Sequence, residues 1–417
     1  MMSEIILFEK KSDCCGCGAC RDACPKGAIS MEEDEYGFLY PIINSDRCVK
    51  CKMCLKVCVY HNSIKTNHNR QVYAAVATDE DILNNAASGG IFGTVARRLI
   101  QDGGIVCGCA WKFSQERLFP VHKIVSEQNN IQDLQGSKYV QSDMLGIYKK
   151  IQRELMAGKK VLFSGTPCQV AALYEFLGNK NTESLFTIDI ICHGVPNSKM
   201  FQEYLEYLSK ILKGKIVDWK FRDKSAGWGE YKAAVKYKNK KGIFKWREIP
   251  FAICSYYYYF LNSLINRDSC YKCMFAKKER VGDLSIGDFW GIEEEHPEYL
   301  SSSNKDMLNL TKGISCILVN TVKGEMLLKH CEGALKYLPS SMDHVIKNNA
   351  QLKYPSKYDG NRDKLLDLYA SEGYEAIEKN YKKGLNLKKR LLFVVKFKLP
   401  IRILVVLRKI KHISKYK

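Results

Sequence analysis

Beyond residue 71 the apolar positions of this chain switch repeatedly between two periods. VYAAVAT (72–78), IVCGCAW (105–111) and SLFTIDIICHG (184–194) are short, nearly continuous apolar runs and read as buried strands. In SGGIFGTVARRLIQDGG (88–104), Ile91, Val95 and Leu99 recur at four-residue spacing, which predicts a helix with Ser88 as N-cap and Gly103 as its stop. KVLFSGTPCQVAALYEFLG (160–178) reads as strand, turn and helix, and NSKMFQEYLEYLSKILKG (197–214) as an amphipathic helix. YKAAVKYKNKKGIFKWREI (231–249) alternates like a hairpin with a Lys-Gly turn. This alternation predicts an α/β body. The preceding stretch, YHNSIKTNHNRQ (60–71), is polar and aperiodic, and reads as a linker.

The first 58 residues follow another logic, because nine of them are cysteine. Cys14, Cys17, Cys20 and Cys24 are spaced C-x2-C-x2-C-x3-C and followed by Pro25. Cys48, Cys51, Cys54 and Cys58 repeat the spacing, with Val59 in place of the proline. This is the pattern of bacterial two-cluster ferredoxins, in which the fourth cysteine of each array serves the other cluster. One [4Fe–4S] cluster is therefore expected on Cys14, Cys17, Cys20 and Cys58, and a second on Cys48, Cys51, Cys54 and Cys24. Cys15 is left spare. The rival metal, zinc, prefers two CxxC pairs on a longer spacer. KGAISMEEDEYGFLYPIINSDR, between the arrays, fits a small hairpin, giving an α+β ferredoxin-like domain ahead of the body.

Composition narrows the setting. A hydrophobic content of 46% is ordinary for a globular protein. The opening MMSEIILFEK has neither a basic n-region nor a long apolar stretch, so a cytoplasmic protein is expected. Eighteen cysteines then suggest metal or redox chemistry rather than disulfides. The net charge of +20 is uneven: residues 381–417 hold ten Lys and three Arg and no acid. A mildly basic body with a strongly basic tail argues against nucleic acid as partner.

A second set of cysteines lies in the body. Thr166 is a good N-cap and Pro167 a good first residue, which puts Cys168 in a first helical turn at a strand's carboxyl end. Cys192 follows another apolar strand, and Cys270 and Cys273 form a CxxC pair. Four such thiols suit a third cubane or a zinc ion, and rim cysteines can equally be small buried hydrophobes. Cys107, Cys109, Cys254, Cys316 and Cys331 lack ligand spacing and read as core. Ser88, Gly89 and Gly90 could cradle a phosphate at a helix start. Lys138 sits in a Gly-Ser turn, His193 is a candidate proton donor, and no G-x-G-x-x-G is present.

ASGGIFGTVARRLI, QGSKYVQS, FSGTPCQVAAL, DIICHGVPN, CYKCMFA and GDLSIGDFWG occur in that order over about residues 72–320. Together they resemble the family of coenzyme F420 hydrogenase/dehydrogenase beta subunits. The resemblance implies an FAD-binding, non-Rossmann α/β body with a [4Fe–4S] cluster near the flavin, on Cys168, Cys192, Cys270 and Cys273. It also implies flavin contacts from Ser88, Gly89, Gly90, Ser137 and Lys138, with Thr166 beside them, and catalytic roles for Lys138 and His193. The expected activity is that of an iron–sulfur flavoprotein oxidoreductase passing electrons between ferredoxin-type clusters and coenzyme F420 or a similar organic substrate. Members beside surface-polysaccharide genes add that metabolism as a setting. The alternative is a non-catalytic electron-transfer adaptor whose body is a docking module. Expected partners are a redox protein or ferredoxin and a small-molecule donor or acceptor.

The expected division is 1–62 ferredoxin domain, 63–71 linker, 72–345 body and 346–417 basic C-terminal extension. In the extension, LKKRLLFVVKFKLPIRILVVLRKIKHISKYK (387–417) is a poor membrane span, because Lys396, Lys398, Pro400 and Arg402 interrupt it. It suits a helix lying on an anionic membrane at the inner face, a helix docked on the body, or contact with an acidic protein.

Overall fold

The computed structural model describes residues 5–178, 182–225, 227–229, 232–301 and 307–398, with side chains through 395. At the amino end β1 (Ile29–Glu33) and β2 (Leu39–Ile43) form the expected antiparallel hairpin, Ile29 facing Ile43. Helical turns at Ala19–Ala23 and Met53–Lys56 carry the chain toward the last cysteine of each array. Both turns begin from a left-handed residue. Gly18, at φ +76°, adopts it freely, whereas Lys52, at φ +61°, bears the strain of its Cβ.

The strands of the body are, in chain order, β3 (Gln71–Ala77), β4 (Ile105–Ser114), β5 (Arg117–Val125), β6 (Val161–Gly165), β7 (Leu185–Ile190), β8 (Gly214–Lys220), β9 (Lys232–Asn239), β10 (Phe244–Pro250), β11 (Leu284–Asp288), β12 (Ser315–Val319) and β13 (Leu335–Ser340). Eight of them make one mixed sheet, ordered β13-β3-β12-β11-β7-β6-β4-β5. Only its central pairs β4–β6, β6–β7 and β7–β11 are parallel. Val161, Leu162, Phe163, Leu185 and Ile188 are buried, as expected of strands covered on both faces. Strands β8, β9 and β10 form a separate antiparallel sheet.

Helix α1 (Ile91–Gln101) covers one face of the large sheet through Ile91, Val95 and Leu99. It starts from Gly90, at φ +82°, and not from Ser88. The Ser88 hydroxyl is turned to the Ile314 carbonyl, to which it donates, and Gly90 makes the turn into the helix. Helices α2 (Ile147–Met156) and α3 (Pro167–Leu177) cover the opposite side. Thr166 and Gln169 form a capping box at the start of α3. Helix α4 (Ser198–Leu212) joins β8–β10 in an aromatic core that includes Phe201, Tyr204, Trp219, Phe221, Tyr256 and Phe260.

Beyond residue 345, α5 (Asn361–Glu372) and α6 (Tyr374–Lys383) bury Leu366, Tyr369, Tyr374 and Ile377 in that same core. Of the basic tail, only the helix Leu387–Lys398 is described, and the expectation for the rest lies outside the described residues. The polar stretch before β3 is pinned: Asn67 bridges Arg280, Asn69 donates to Asn320, and Arg70 pairs with Glu325.

The ferredoxin domain is locked onto the body by one buried guanidinium. Arg267 donates to the carbonyls of Cys14 (3.1 Å) and Leu39 (2.5 Å) and to Gln141 Oε1 (3.3 Å), and lies 4.5 Å from the Tyr40 ring centre. Gln141 in turn donates to the Gly16 carbonyl at 2.9 Å, and Tyr148 to that of Cys17 at 3.0 Å. A side chain at Gly16 would collide with Arg267 and Gln141, so that position must be bare. Arg267→Ala leaves several buried acceptors unmet and should cost about 3 kcal/mol. The check is urea unfolding together with limited proteolysis, which should free the first 62 residues; a stability within error of the parent would contradict the arrangement.

Candidate functional site

The eight cysteines of the two arrays divide between two small pockets. One is ringed by Cys14, Cys17, Cys20 and Cys58, with Cys15 alongside. The other is ringed by Cys24, Cys48, Cys51 and Cys54. Each pocket thus takes three cysteines from one array and the last from the other, and can hold a cubane on four thiolates. The inner pocket adjoins the body and burial pushes the Cys14 thiol up to about 11, an effect the nearby Arg267 offsets. At the outer pocket Cys51 is exposed.

The carboxyl ends of β6, β7 and β11 open onto a cavity of about 510 Å³. Its walls gather residues from all but one of the motifs singled out along the body: Ser88 and Gly90, Ser137 and Lys138, Thr166 and Cys168, Cys192 and His193, Asp288 and Trp290. Gly89 does not line it. Its N–H donates to Ser315 Oγ, and a Cβ there would meet the Ala75 carbonyl at 2.3 Å, so this glycine serves close packing on the sheet. The loop is held from behind by Lys224, which donates to the carbonyls of Leu83, Ser88 and Lys312. Burial lowers the Lys224 ammonium to about 8.

Lys138 donates to the carbonyls of Asp133 (3.2 Å) and Gln135 (2.7 Å), and burial lowers its pKa. His193 also lines the cavity, but its ring is engaged on both sides. Nε2 faces the Phe260 carbonyl at 3.1 Å and Nδ1 faces Gln351 Nε2 at 3.0 Å. Both ring nitrogens of His193 are thus held by protein groups. At the far wall, Trp290 stacks on Trp228 at 4.8 Å, and Arg222 lies over Trp290 while pairing with Asp288 at 3.0 Å.

The four body cysteines come together as a group. Burial pushes Cys192 well up, and Cys270, Cys168 and Cys273 lie close enough to raise it further. Burial likewise lifts Cys270 to about 12 and Cys273 to about 11. Cys168 is lowered to about 7, chiefly by the neighbouring Cys15 thiol and, against the opposing effect of burial, by Thr166 and the first N–H groups of α3. The CxxC loop is placed by a buried ion pair. Arg280 grips Asp189 Oδ1 at 2.6 Å and also donates to the carbonyls of Phe275 and Ile190. Among the described residues, no three His, Cys, Asp or Glu are grouped to hold a metal ion as a single centre, and no helix is long and apolar enough to cross a membrane.

Several of these residues carried no signal in the sequence. Cys15, spare by spacing, is buried between the two sets, close enough to both Cys17 and Cys168 for the three thiols to shift one another's pKa. Cys109, read as core, lines the cavity. His122, Ser142, Gln169 and Thr166 form a chain of hydrogen bonds ending 3.1 Å from the Cys168 sulfur. Long sequence separations hide such a chain, and only its Thr166 member was read from the sequence, as an N-cap.

Comparison with known proteins matches this layout. Residues 72–149 match the N-terminal region of the coenzyme F420 hydrogenase/dehydrogenase beta subunit, and residues 158–341 its C terminus. The chain belongs to the family of coenzyme F420 hydrogenase/dehydrogenase beta subunits. Residues 13–62 match the 4Fe–4S dicluster domain, so this member carries an iron–sulfur domain ahead of the family's mixed α/β body. One relative is a component of the F(420)H(2) dehydrogenase of Methanosarcina mazei, 22% identical over 243 residues, covering 53% of this chain and 65% of that protein. The chain therefore spans just under two thirds of that relative's length. An uncharacterised ferredoxin of Methanocaldococcus jannaschii is 41% identical over 58 residues, covering 14% of this chain and 71% of that protein. A chain of the F420-reducing [NiFe] hydrogenase complex from Methanosarcina barkeri superposes with a TM-score of 0.42 at 17% identity, covering 76% of this chain and 92% of that one.

His122 makes the site's acid sensitivity testable. Buried between the Ser164 carbonyl and Ser142, it stays neutral, with burial lowering its pKa to about 4. The folded protein then binds fewer protons here than the unfolded chain, whose His titrates near 6.5. The stabilisation is present above that value and lost as pH falls toward 4, by about 3 kcal/mol. Urea midpoints at about pH 7 and about pH 4.5 should therefore converge in His122→Asn relative to the parent; an unchanged pH dependence would exclude His122 as the cause.

Proposed function

We propose that the chain is an iron–sulfur flavoprotein subunit that moves electrons between a redox partner protein and coenzyme F420 or a similar organic substrate. One observation carries this reading: Cys15 and Cys17 line both the inner ferredoxin pocket and the large cavity, whose wall also contains Cys168 and Cys192. The cysteine sets thus form a continuous series from the exposed Cys51 to the cavity. In this reading Cys14, Cys17, Cys20 and Cys58 hold the inner cluster, and Cys24, Cys48, Cys51 and Cys54 the outer one. Cys168, Cys192, Cys270 and Cys273 hold a third.

The cavity residues fit FAD in kind. Gly90 and Gly136, both at positive φ, let backbone come close to a ligand beside the start of α1. Lys138 and Arg222 supply positive charge, and the apolar remainder of the lining suits a planar ring. When bound, the clusters supply one-electron transfer and the flavin couples it to two-electron chemistry. The protein's part is placement and electrostatics. Thr166 and the α3 N–H groups favour the Cys168 thiolate, His193 and Gln351 hold the loop after β7, and Lys138 offers a cation to negative charge in the cavity. The relative from Methanosarcina mazei, named for F(420)H(2), supports F420 as the first substrate to try.

Anaerobic purification should give about 12 iron atoms and one FAD per chain, from three four-iron clusters. About 8 iron atoms and no flavin would overturn the catalytic reading in favour of an electron-transfer adaptor. Lys138→Ala should retain its iron and lower turnover with reduced F420 and a viologen dye roughly 10- to 100-fold. Turnover equal to the parent's would remove Lys138 from the mechanism.

A further inference from the structure

The two ferredoxin pockets have opposite surroundings. The inner one is closed by Arg267, Gln141 and Tyr148 of the body. Of the apolar side chains that line the outer one, Val49 and Met53 are 57 and 40% exposed. Around them stand Lys26, Arg47, Lys50, Lys52 and Lys56, all exposed. Asp46 is the sole acid between residues 41 and 58.

Four acids of this small domain, Glu32, Glu33, Asp34 and Glu35, lie toward its other end. The β1–β2 register puts Ile29 and Ile43 at the outer pocket and Glu33 opposite Leu39 at the far turn. Glu33, Asp34 and Glu35 there are paired with Lys199 and Lys11. The domain is therefore polarised, with its acidic turn ion-paired to Lys11 and Lys199 and its basic, apolar end presented outward beside the pocket farthest from the body.

We infer that this outer face docks a small acidic one-electron carrier protein, whose carboxylates meet Lys26, Arg47, Lys52 and Lys56 around the apolar contact of Val49 and Met53. The inference rests on the proposed electron-transfer role and adds where the partner binds and what chemistry it presents. A small apolar centre within a charged rim is the anatomy of a transient redox interface, where opposite charges steer encounter and apolar contact seats the partner. Exposed Cys51 brings the outer pocket to that same surface.

The test uses the full-length holoprotein and a reduced, acidic flavodoxin as probe. Its oxidation is followed by stopped flow, with the neutral deazariboflavin radical as a reductant that needs no docking. The variant Lys26→Glu, Lys52→Glu, Lys56→Glu is compared with Lys236→Glu, Lys238→Glu, Lys241→Glu on the β9–β10 hairpin, which changes net charge equally. The second-order rate at low salt should fall about 10- to 100-fold in the first variant and hardly move in the second, with rates from the small reductant unchanged in both. If the reversals lose iron, Lys→Gln at the first three positions carries the comparison, with a fall of about 3- to 10-fold. Equal falls in the two variants, or none, would overturn the docking face. So would binding to anionic phosphatidylglycerol vesicles that the first variant alone abolishes, which would make the face a membrane contact. Flavin content and F420 turnover do not enter this readout, so a protein without FAD would sink the proposed activity and leave the docking result standing.

Discussion

The arrangement depends on a buried cation. Arg267 is fully buried, and its described hydrogen bonds go to carbonyl oxygens and one amide rather than to a carboxylate. A guanidinium taken out of water without an acid beside it is costly. Its compensation comes from those carbonyls and from the Tyr40 ring 4.5 Å away, while its field offsets part of the rise that burial imposes on the Cys14 and Cys270 thiols. One charge therefore acts on thiols of both the inner ferredoxin set and the body set, and binds the two domains through the carbonyls of the first cysteine loop. Gly16 is the complementary requirement, because the loop can approach Arg267 only without a side chain.

A buried ion pair does for the body what Arg267 does for the domain contact. Asp189 lies near the end of a central strand, just ahead of Cys192, and Arg280 follows the CxxC loop. Their bond at 2.6 Å draws that loop to the strand end. Gly282 N–H and Ser285 complete the network, so neither charge is left unsatisfied. The four body cysteines, spread over more than 100 residues, converge because two elements of the sheet rim are bolted together. The wall between the inner pocket and the cavity is then as thin as Cys15 and Cys17.

Much of this was legible in the linear pattern. The paired cysteine spacings anticipated the division of eight thiols between two pockets, since a fixed spacing on a tight turn leaves little geometric choice. The Thr166-Pro167 start of α3 and the period-four stripe of α1 were local, and the elements formed where they pointed. The N-cap expected at Ser88 is absent, its hydroxyl being turned to a tertiary partner, the Ile314 carbonyl. His193 stood out as a lone histidine, yet Phe260 and Gln351, both more than 60 residues away, occupy its nitrogens.

The sequence by itself thus determined what short-range chemistry controls: the ferredoxin arrays, the alternation of strand and helix, and the rim positions of Cys168 and Cys192. Only the tertiary structure decided which groups share a space. It made Cys15 a bridge rather than a surplus thiol, turned Cys109 toward the cavity, and pointed the basic end of the ferredoxin outward. The physical reason is range. Spacing and propensity act over a few residues, whereas burial, ion pairing and the satisfaction of carbonyls link positions that are remote along the chain and adjacent only once it is folded.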